Sequence, residues 1–574
     1  MDDNHITYLA ETDFRNERKK FGIKEKDRLR HTYVIGKTGM GKSTLLENMA
    51  IQDIQNGQGL AFIDPHGSTA AKLLDYIPEH RIDDVVYFAP FDTDYPIAFN
   101  LLEDVGPARR HFVASGLMSA FKKIWVDAWS ARMEYILTQT ILALLEYPNS
   151  TLLGINRMLS DKEFRNEVVK NIKDPSVRSF WIDEFGKYTE RFAQEATPAI
   201  QNKVGQYSTN PLIRNIIGQP KSSFDLREIM DKRKIFIANL SKGLVGETNT
   251  ALLGSMLTTR IYLAAMSRAD VPEATRERLP NFNLYIDEFQ SFANASFADI
   301  LSEARKYKLS LTMAHQYIEQ MPEEVQAAVF GNVGTLITFR VGATDAEVFE
   351  KEFAPKFLAE DLVNLGFAQI YLRLMIDGIG SQPFSAKTLN RIPEPARSFR
   401  EEVIARSREQ FAKPRKEVEE AIALWHEPIK KAPASPRPPG AQVTPRERSQ
   451  KEISSVESLP ATKQMETPPR SSRPQQSYQG RQDDRSPFSN QKQEKKKKPQ
   501  TISLKEVVLK EQKREPSKNL EELRKLLGQI KPDVKTGKSP EESVKPTLAE
   551  DRKHDTNEIP ESELRKMLEV SDSE

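Results

Sequence analysis

The chain has no cysteine among its 574 residues. That excludes a disulfide framework, thiol catalysis, thiolate zinc sites and iron–sulfur clusters, and it fits a reducing compartment. Net charge is almost absent as well. The 84 basic and 82 acidic side chains leave +2, so no global field drives the molecule onto nucleic acid or a membrane. Long apolar runs are missing. Tyr135–Leu145 is too short to span a bilayer, and Ala251–Met266 carries Arg260 in its middle. Residues Met1 to Lys20 are polar and mixed in charge, unlike a signal peptide. The expectation is a soluble cytoplasmic protein of several domains, since single cores rarely grow past about 250–300 residues.

Aromatics run out near residue 430. Beyond Lys431 only Tyr478 and Phe488 remain, while roughly 16 of the 35 prolines crowd into that quarter of the chain. Such a composition buries too little apolar surface to offset chain entropy, so residues 431–574 are expected to be disordered. This tail has roughly 30 basic and 24 acidic residues, its basic half including Lys495–Lys498. Two islands stand out. Glu522-Leu523-Arg524-Lys525-Leu526-Leu527 is echoed by Glu563-Leu564-Arg565-Lys566-Met567-Leu568. Each places apolar residues at i, i+3 and i+4, the stripe of a short partner-docking helix.

Ahead of the tail, short apolar strands alternate with helical patterns. Thr32–Ile35, Leu60–Ile63, Val85–Phe88, Lys234–Ala238, Phe282–Ile286, Leu309–Met313 and Thr335–Phe339 read as buried strands. This rhythm predicts a doubly wound α/β fold with a mostly parallel sheet. Gly366–Leu374 and Phe384–Leu389 read as a closing hairpin. One stretch breaks the rhythm: residues 107–217 show only helical periods, such as Met133-Ile136-Leu137-Thr140-Ile141-Leu144, and predict an inserted all-α domain.

Between the first strand and its helix, Gly36-Lys37-Thr38-Gly39-Met40-Gly41-Lys42-Ser43 fits the phosphate-loop pattern in full. Such a loop wraps a phosphate with backbone N–H groups, which requires glycine where a Cβ would clash. Lys42 then reaches the β and γ phosphates of ATP, and the Ser43 hydroxyl ligates Mg²⁺. Thr44 follows in the first turn of a helix whose positive end faces the anion. A hydrolytic site also needs acids at the end of a neighbouring buried strand. Asp287 and Glu288 follow Phe282–Ile286 directly: Asp287 to hold Mg²⁺, Glu288 to orient the attacking water as general base. Gln316 follows the strand beside them and can touch the γ-phosphate. Arg305, on the preceding helix, can reach a neighbouring subunit's nucleotide.

The ordered set of phosphate loop, Phe62-Ile63-Asp64-Pro65-His66-Gly67, helical insertion, Asp287-Glu288, Ala304-Arg305-Lys306 and Ala314-His315-Gln316 resembles the HerA/FtsK superfamily of ring-forming DNA pumps. Within it, residues of about 20–395 are most similar to the cytoplasmic domain of type IV secretion coupling proteins of the TraD/TraG/VirD type. The resemblance implies a RecA-like P-loop NTPase that hydrolyses ATP to move DNA through a hexameric ring during conjugation. It implies that Arg305 is the arginine acting in trans and Gln316 the sensing glutamine. Asp64 and His66 match a recurrent segment and are assigned no chemistry. Coupling proteins usually begin with membrane helices, and HerA-type helicases with a β-barrel. This chain reaches its phosphate loop by residue 36 with neither, so a soluble relative that docks on a membrane-bound secretion partner through its tail is expected.

The expected organisation is a lead-in segment (1–30), a motor domain in two parts (31–106 and 218–395), the α insertion (107–217), a helical extension (396–430) and the tail (431–574). Basic residues proposed to meet DNA are Lys122, Lys123 and those of Arg260–Arg278. The alternatives are a secretion or pilus-assembly ATPase acting on protein, and a soluble DNA-processing helicase. An inactive scaffold is disfavoured by the intact set Lys42, Ser43, Asp287 and Glu288.

Overall fold

The computed structural model describes residues 5–13, 18–294 and 296–427. The expected disordered tail, with its two helical repeats and basic half, lies outside the described residues.

Thirteen strands are named β1 (Ile6–Thr12), β2 (Lys20–Lys24), β3 (Thr32–Ile35), β4 (Gly59–Asp64), β5 (Val85–Phe88), β6 (Ile235–Asn239), β7 (Phe282–Ile286), β8 (Leu309–His315), β9 (Thr335–Thr338), β10 (Gln369–Arg373), β11 (Met375–Ile376), β12 (Ile379–Gly380) and β13 (Phe384–Thr388). All but the β11–β12 hairpin join one sheet in the order β2-β1-β13-β10-β9-β3-β8-β7-β4-β6-β5. The strands from β9 to β5 in that order are parallel, and β10, β13, β1 and β2 continue the sheet antiparallel.

The parallel strands are apolar throughout because both sheet faces are covered. Alternate residues feed two cores: Tyr33, Ile35, Ala61 and Ile63 point to one, Val34, Leu60 and Phe62 to the other. The expected hairpin is present as β10 and β13, antiparallel and in register Gln369 with Lys387. The lead-in segment was not expected to pair, yet β1 and β2 extend this edge. Arg28, fully buried, fastens the segment to the parallel core. It donates to both Asp53 oxygens (2.7 and 3.0 Å) and to the Tyr285 hydroxyl on β7.

No strand lies between β5 and β6 among the described residues. Helices Arg110–Ile124, Ala131–Glu146, Lys162–Asn171 and Pro198–Thr209, with shorter ones, fill the gap. Their buried side chains merge with the Tyr33/Ile35 core rather than forming a core of their own. Helix Arg110–Ile124 lies close against helix Glu247–Met266. A Cβ on Gly116 would come within 2.6 Å of the Thr259 methyl.

The extension forms two helices that bridge these parts. Arg400–Phe411 lies along the sheet edge: Ser407 Oγ accepts from the Tyr87 N–H (2.9 Å), and Arg408 pairs with Asp92 (2.7 Å). Arg415–His426 packs on the insertion, with Trp425 edge-on to Phe164 (5.7 Å) and Arg157 donating to the Trp425 carbonyl (2.6 Å).

Candidate active site

The phosphate loop links β3 to the helix Lys42–Gln55. Gly41 sits at φ 116°, in the left-handed region, where a side chain would be strained. At Gly36 a Cβ would lie 2.6 Å from that of Phe339. The helix opens at Lys42, so its first N–H groups face the loop. Lys42 Nζ donates to the Gly36 carbonyl (2.6 Å) and the Lys37 carbonyl (3.2 Å). Burial lowers its pKa, against the pull of Glu288 and Asp287.

Parallel strands bring their C-terminal ends to one rim. β3, β8 and β7 are adjacent in that order, so the loop, Gln316 and Asp287-Glu288 share that rim. Ser43 Oγ donates to Asp287 Oδ2 at 2.9 Å. Asp287 is 2% exposed, and burial, then the neighbouring Asp64 charge, pushes its carboxyl up to about 6. Glu288 follows in the left-handed region (φ 48°). Its carboxylate accepts from Gln316 Nε2 (2.7 Å) and from Gln290 Nε2, and faces His66 Nε2 at 3.6 Å. Burial works to raise the Glu288 pKa. The nearby His66 ring, hydrogen bonds from Gln316 and Gln290, and the Lys42 charge outweigh it and hold the group at about 2. Gln316 also spans back to the loop, its Oε1 accepting from Thr38 Oγ1 at 3.3 Å.

The structure thus brings together Lys42, Ser43, Asp287, Glu288 and Gln316. Arg305 is not among them. It is exposed, on the turn Ala304–Tyr307 before β8, at the opposite end of that strand from Gln316. Among the described residues its side chain forms no ion pair or hydrogen bond. Asp64 is structural: its carboxylate accepts from the backbone N–H groups of His66, Thr69 and Ala70 (2.8–2.9 Å).

Three of the basic residues read as DNA candidates are committed elsewhere. Arg260 is buried and donates to the carbonyls of Asn100, Leu101 and Glu103. Arg268 is buried against Asp231 and the Pro280 and Tyr307 carbonyls. Lys123 reaches from the insertion to the carbonyls of Gln290 (2.5 Å) and Ala293 (2.6 Å), in the turn after Glu288. Helical pattern alone shows that a lysine is on a helix, not what that helix faces. Lys122 and Arg278 are exposed. Gln290 was also missed; its only sequence signal is its place two residues after Glu288.

The sheet order, the phosphate loop and the paired acids define a RecA-like P-loop NTPase. Residues 20–354 match the family described as the type IV secretion-system coupling protein DNA-binding domain, and the chain belongs to that family. Among solved structures, it is similar to the bacterial conjugative coupling protein TrwBdeltaN70 in its unbound monoclinic form (14% identity, 65% of this chain and 89% of that one, TM-score 0.48). It is also similar to the plasmid coupling protein TrwB in complex with ADP and Mg²⁺ (15%, 65% and 88%, TM-score 0.48), and to VirB4 of Thermoanaerobacter pseudethanolicus (14%, 67% and 96%, TM-score 0.45). No curated protein matches the sequence. Among the described residues no helix is long and apolar enough to cross a membrane.

Proposed function

We propose that the chain is an ATP-hydrolysing DNA translocase of the coupling-protein type, working as a ring, with six subunits as in the superfamily it resembles. The observation that carries the reading is the Ser43–Asp287 contact at 2.9 Å beside a Glu288 carboxylate held by Gln316. A hydroxyl and a carboxylate side by side are hard oxygen donors that suit Mg²⁺, so Ser43 and Asp287 would hold the ion. When bound, Mg²⁺ neutralises charge on the transferred phosphoryl group. Gly36, Lys37, Thr38, Gly39, Met40, Gly41 and Thr44 complete the cradle, and Lys42 turns from the loop carbonyls to the phosphates.

Glu288 acts as general base. Its low pKa keeps it ionised, and hydrogen bonds from Gln316 and Gln290 fix its direction. Gln316 bridges Thr38 of the loop to Glu288, which suits it to report the γ-phosphate to the base. Arg305, exposed and without a partner among the described residues, is free to enter a neighbouring subunit's site. DNA is held through its phosphates, largely without regard to sequence; of the candidates read from sequence, Lys122 and Arg278 remain open to it. Residues 31–106 and 218–395 form the motor and 107–217 an insertion sharing its core. The tail remains the proposed route to a membrane-bound secretion partner.

The test is ATP hydrolysis by the full chain with and without single- and double-stranded DNA, with Glu288→Gln as control. Stimulation by DNA that is lost in the variant supports the reading. Hydrolysis indifferent to DNA would favour a protein substrate.

A further inference from the structure

We propose that Phe367 is the platform on which the purine base of the bound nucleotide stacks; this rests on the nucleotide reading above. A cavity of about 520 Å³ is lined by Thr38, Gly41 and Lys42 of the phosphate loop and by Phe367, Leu389 and Arg391. Phosphates cradled by the loop leave the sugar and base to fill the rest of that space. A base lying there needs a flat apolar surface.

Phe367 offers that surface and has no other evident use for it. Its side chain is 70% exposed, an unfavourable state for a large aromatic group. The backbone beside it is built to keep it there. Ala368 adopts φ 62°, a conformation that disfavours any residue with a Cβ. Its N–H donates to the Met40 carbonyl of the phosphate loop (3.2 Å), and its carbonyl accepts from the Thr388 N–H of β13 (2.9 Å). Ala368 is therefore locked between the loop and the sheet, and neither bond involves the Phe367 ring.

The wall beyond β13 is tied to the same loop. Asn48, on the phosphate-loop helix, donates to the Asn390 carbonyl (2.9 Å), and Arg391 Nε donates to Thr44 Oγ1 (3.4 Å). The cavity walls and the phosphate loop are thus one connected unit, and the backbone that carries the ring is tied to the loop before any ligand arrives. A phenyl ring has no hydrogen-bonding group, so it selects by stacking area. Adenine and guanine should bind alike, and pyrimidines more weakly.

The experiment is calorimetric titration of the full chain with MgADP, MgGDP and inorganic tripolyphosphate, which occupies a phosphate loop without a base. Phe367→Ala is expected to weaken both nucleotides about ten-fold and leave tripolyphosphate within about two-fold. Phe367→Trp should restore the nucleotides. Because the ring is exposed, neither substitution threatens folding. Unchanged nucleotide affinity in Phe367→Ala overturns the proposal. So does equal weakening of nucleotides and tripolyphosphate, which would mean a disturbed loop. If the unaltered protein binds inorganic pyrophosphate, which has the same two phosphates, as tightly as ADP, the base platform falls while the phosphate loop stands. If it binds neither, the nucleotide reading falls and takes this one with it.

Discussion

Lys123→Met should slow hydrolysis from outside the nucleotide cavity. In the folded protein the Lys123 ammonium holds two carbonyls of the turn after Glu288, those of Gln290 and Ala293. The Gln290 side chain in turn holds the Glu288 carboxylate. Glu288 itself sits at φ 48°, a conformation that costs about 1–2 kcal/mol and persists only if its surroundings enforce it. Methionine fills the same volume but donates nothing. Leaving two partly buried carbonyls unpaired removes roughly 2–4 kcal/mol of hold on the turn. If about 2 kcal/mol of that appears as lost order at Glu288, kcat falls about 30-fold. Among the described residues no hydrogen bond or ion pair joins Lys123 to the phosphate loop, so ADP affinity should stay within about two-fold. The assay is steady-state hydrolysis beside calorimetric ADP binding, with Gln290→Ala and the double variant as a cycle. Because both residues act through one turn, their effects should be less than additive. A kcat within about three-fold of the unaltered protein, or a parallel loss of ADP affinity, would refute the reasoning.

The same lysine gives a pH dependence. Burial, with the nearby Lys242 charge, lowers its pKa from 10.5 to about 8. Between about pH 8 and 10.5 the unfolded chain holds a proton that the folded one has shed, so stability rises with pH there by on the order of 1 kcal/mol per unit. Urea melts at pH 7.5 and 9.5 should show the unaltered protein gaining on Lys123→Met; a constant gap would count against it. Arg305→Ala should leave ADP binding intact while lowering hydrolysis. Mixing it with unaltered subunits should reduce activity more steeply than dilution does, whereas a linear dependence would argue that the arginine serves its own subunit. Arg28→Ala strands the buried Asp53 carboxylate and should destabilise the fold by about 3–5 kcal/mol, read as a lower urea midpoint; an unchanged midpoint would show that the lead-in segment is not anchored this way.

The parallel core was legible because its strands are covered on both faces. Thr32–Ile35, Val85–Phe88 and Phe282–Ile286 form over the residues that their apolar runs mark. The edge was harder. Ile6–Thr12 alternates exposed and buried positions at its start and becomes a strand only because β13 and β2 flank it. At the site, Lys42, Ser43, Asp287, Glu288 and Gln316 belong to short segments that follow buried strands, so local pattern carries them to a shared rim. Phe367 and Arg391 reach the same cavity through strands far along the chain, and no local signal marks them. Lys123 shows a further limit. A basic residue at a helix end reads as solvated until the turn it caps is in view.

The helices Arg400–Phe411 and Arg415–His426 carry a practical consequence. The last described residue, Glu427, is gripped by Arg157 of the insertion through its carbonyl (2.9 Å). A fluorophore placed there would ride with the insertion, and a second one on the sheet edge near Asp83, beside Arg406, would ride with the motor. Energy transfer between the two would turn the bridging helices into a gauge of whether insertion and motor move as one piece or shift against each other during a turnover.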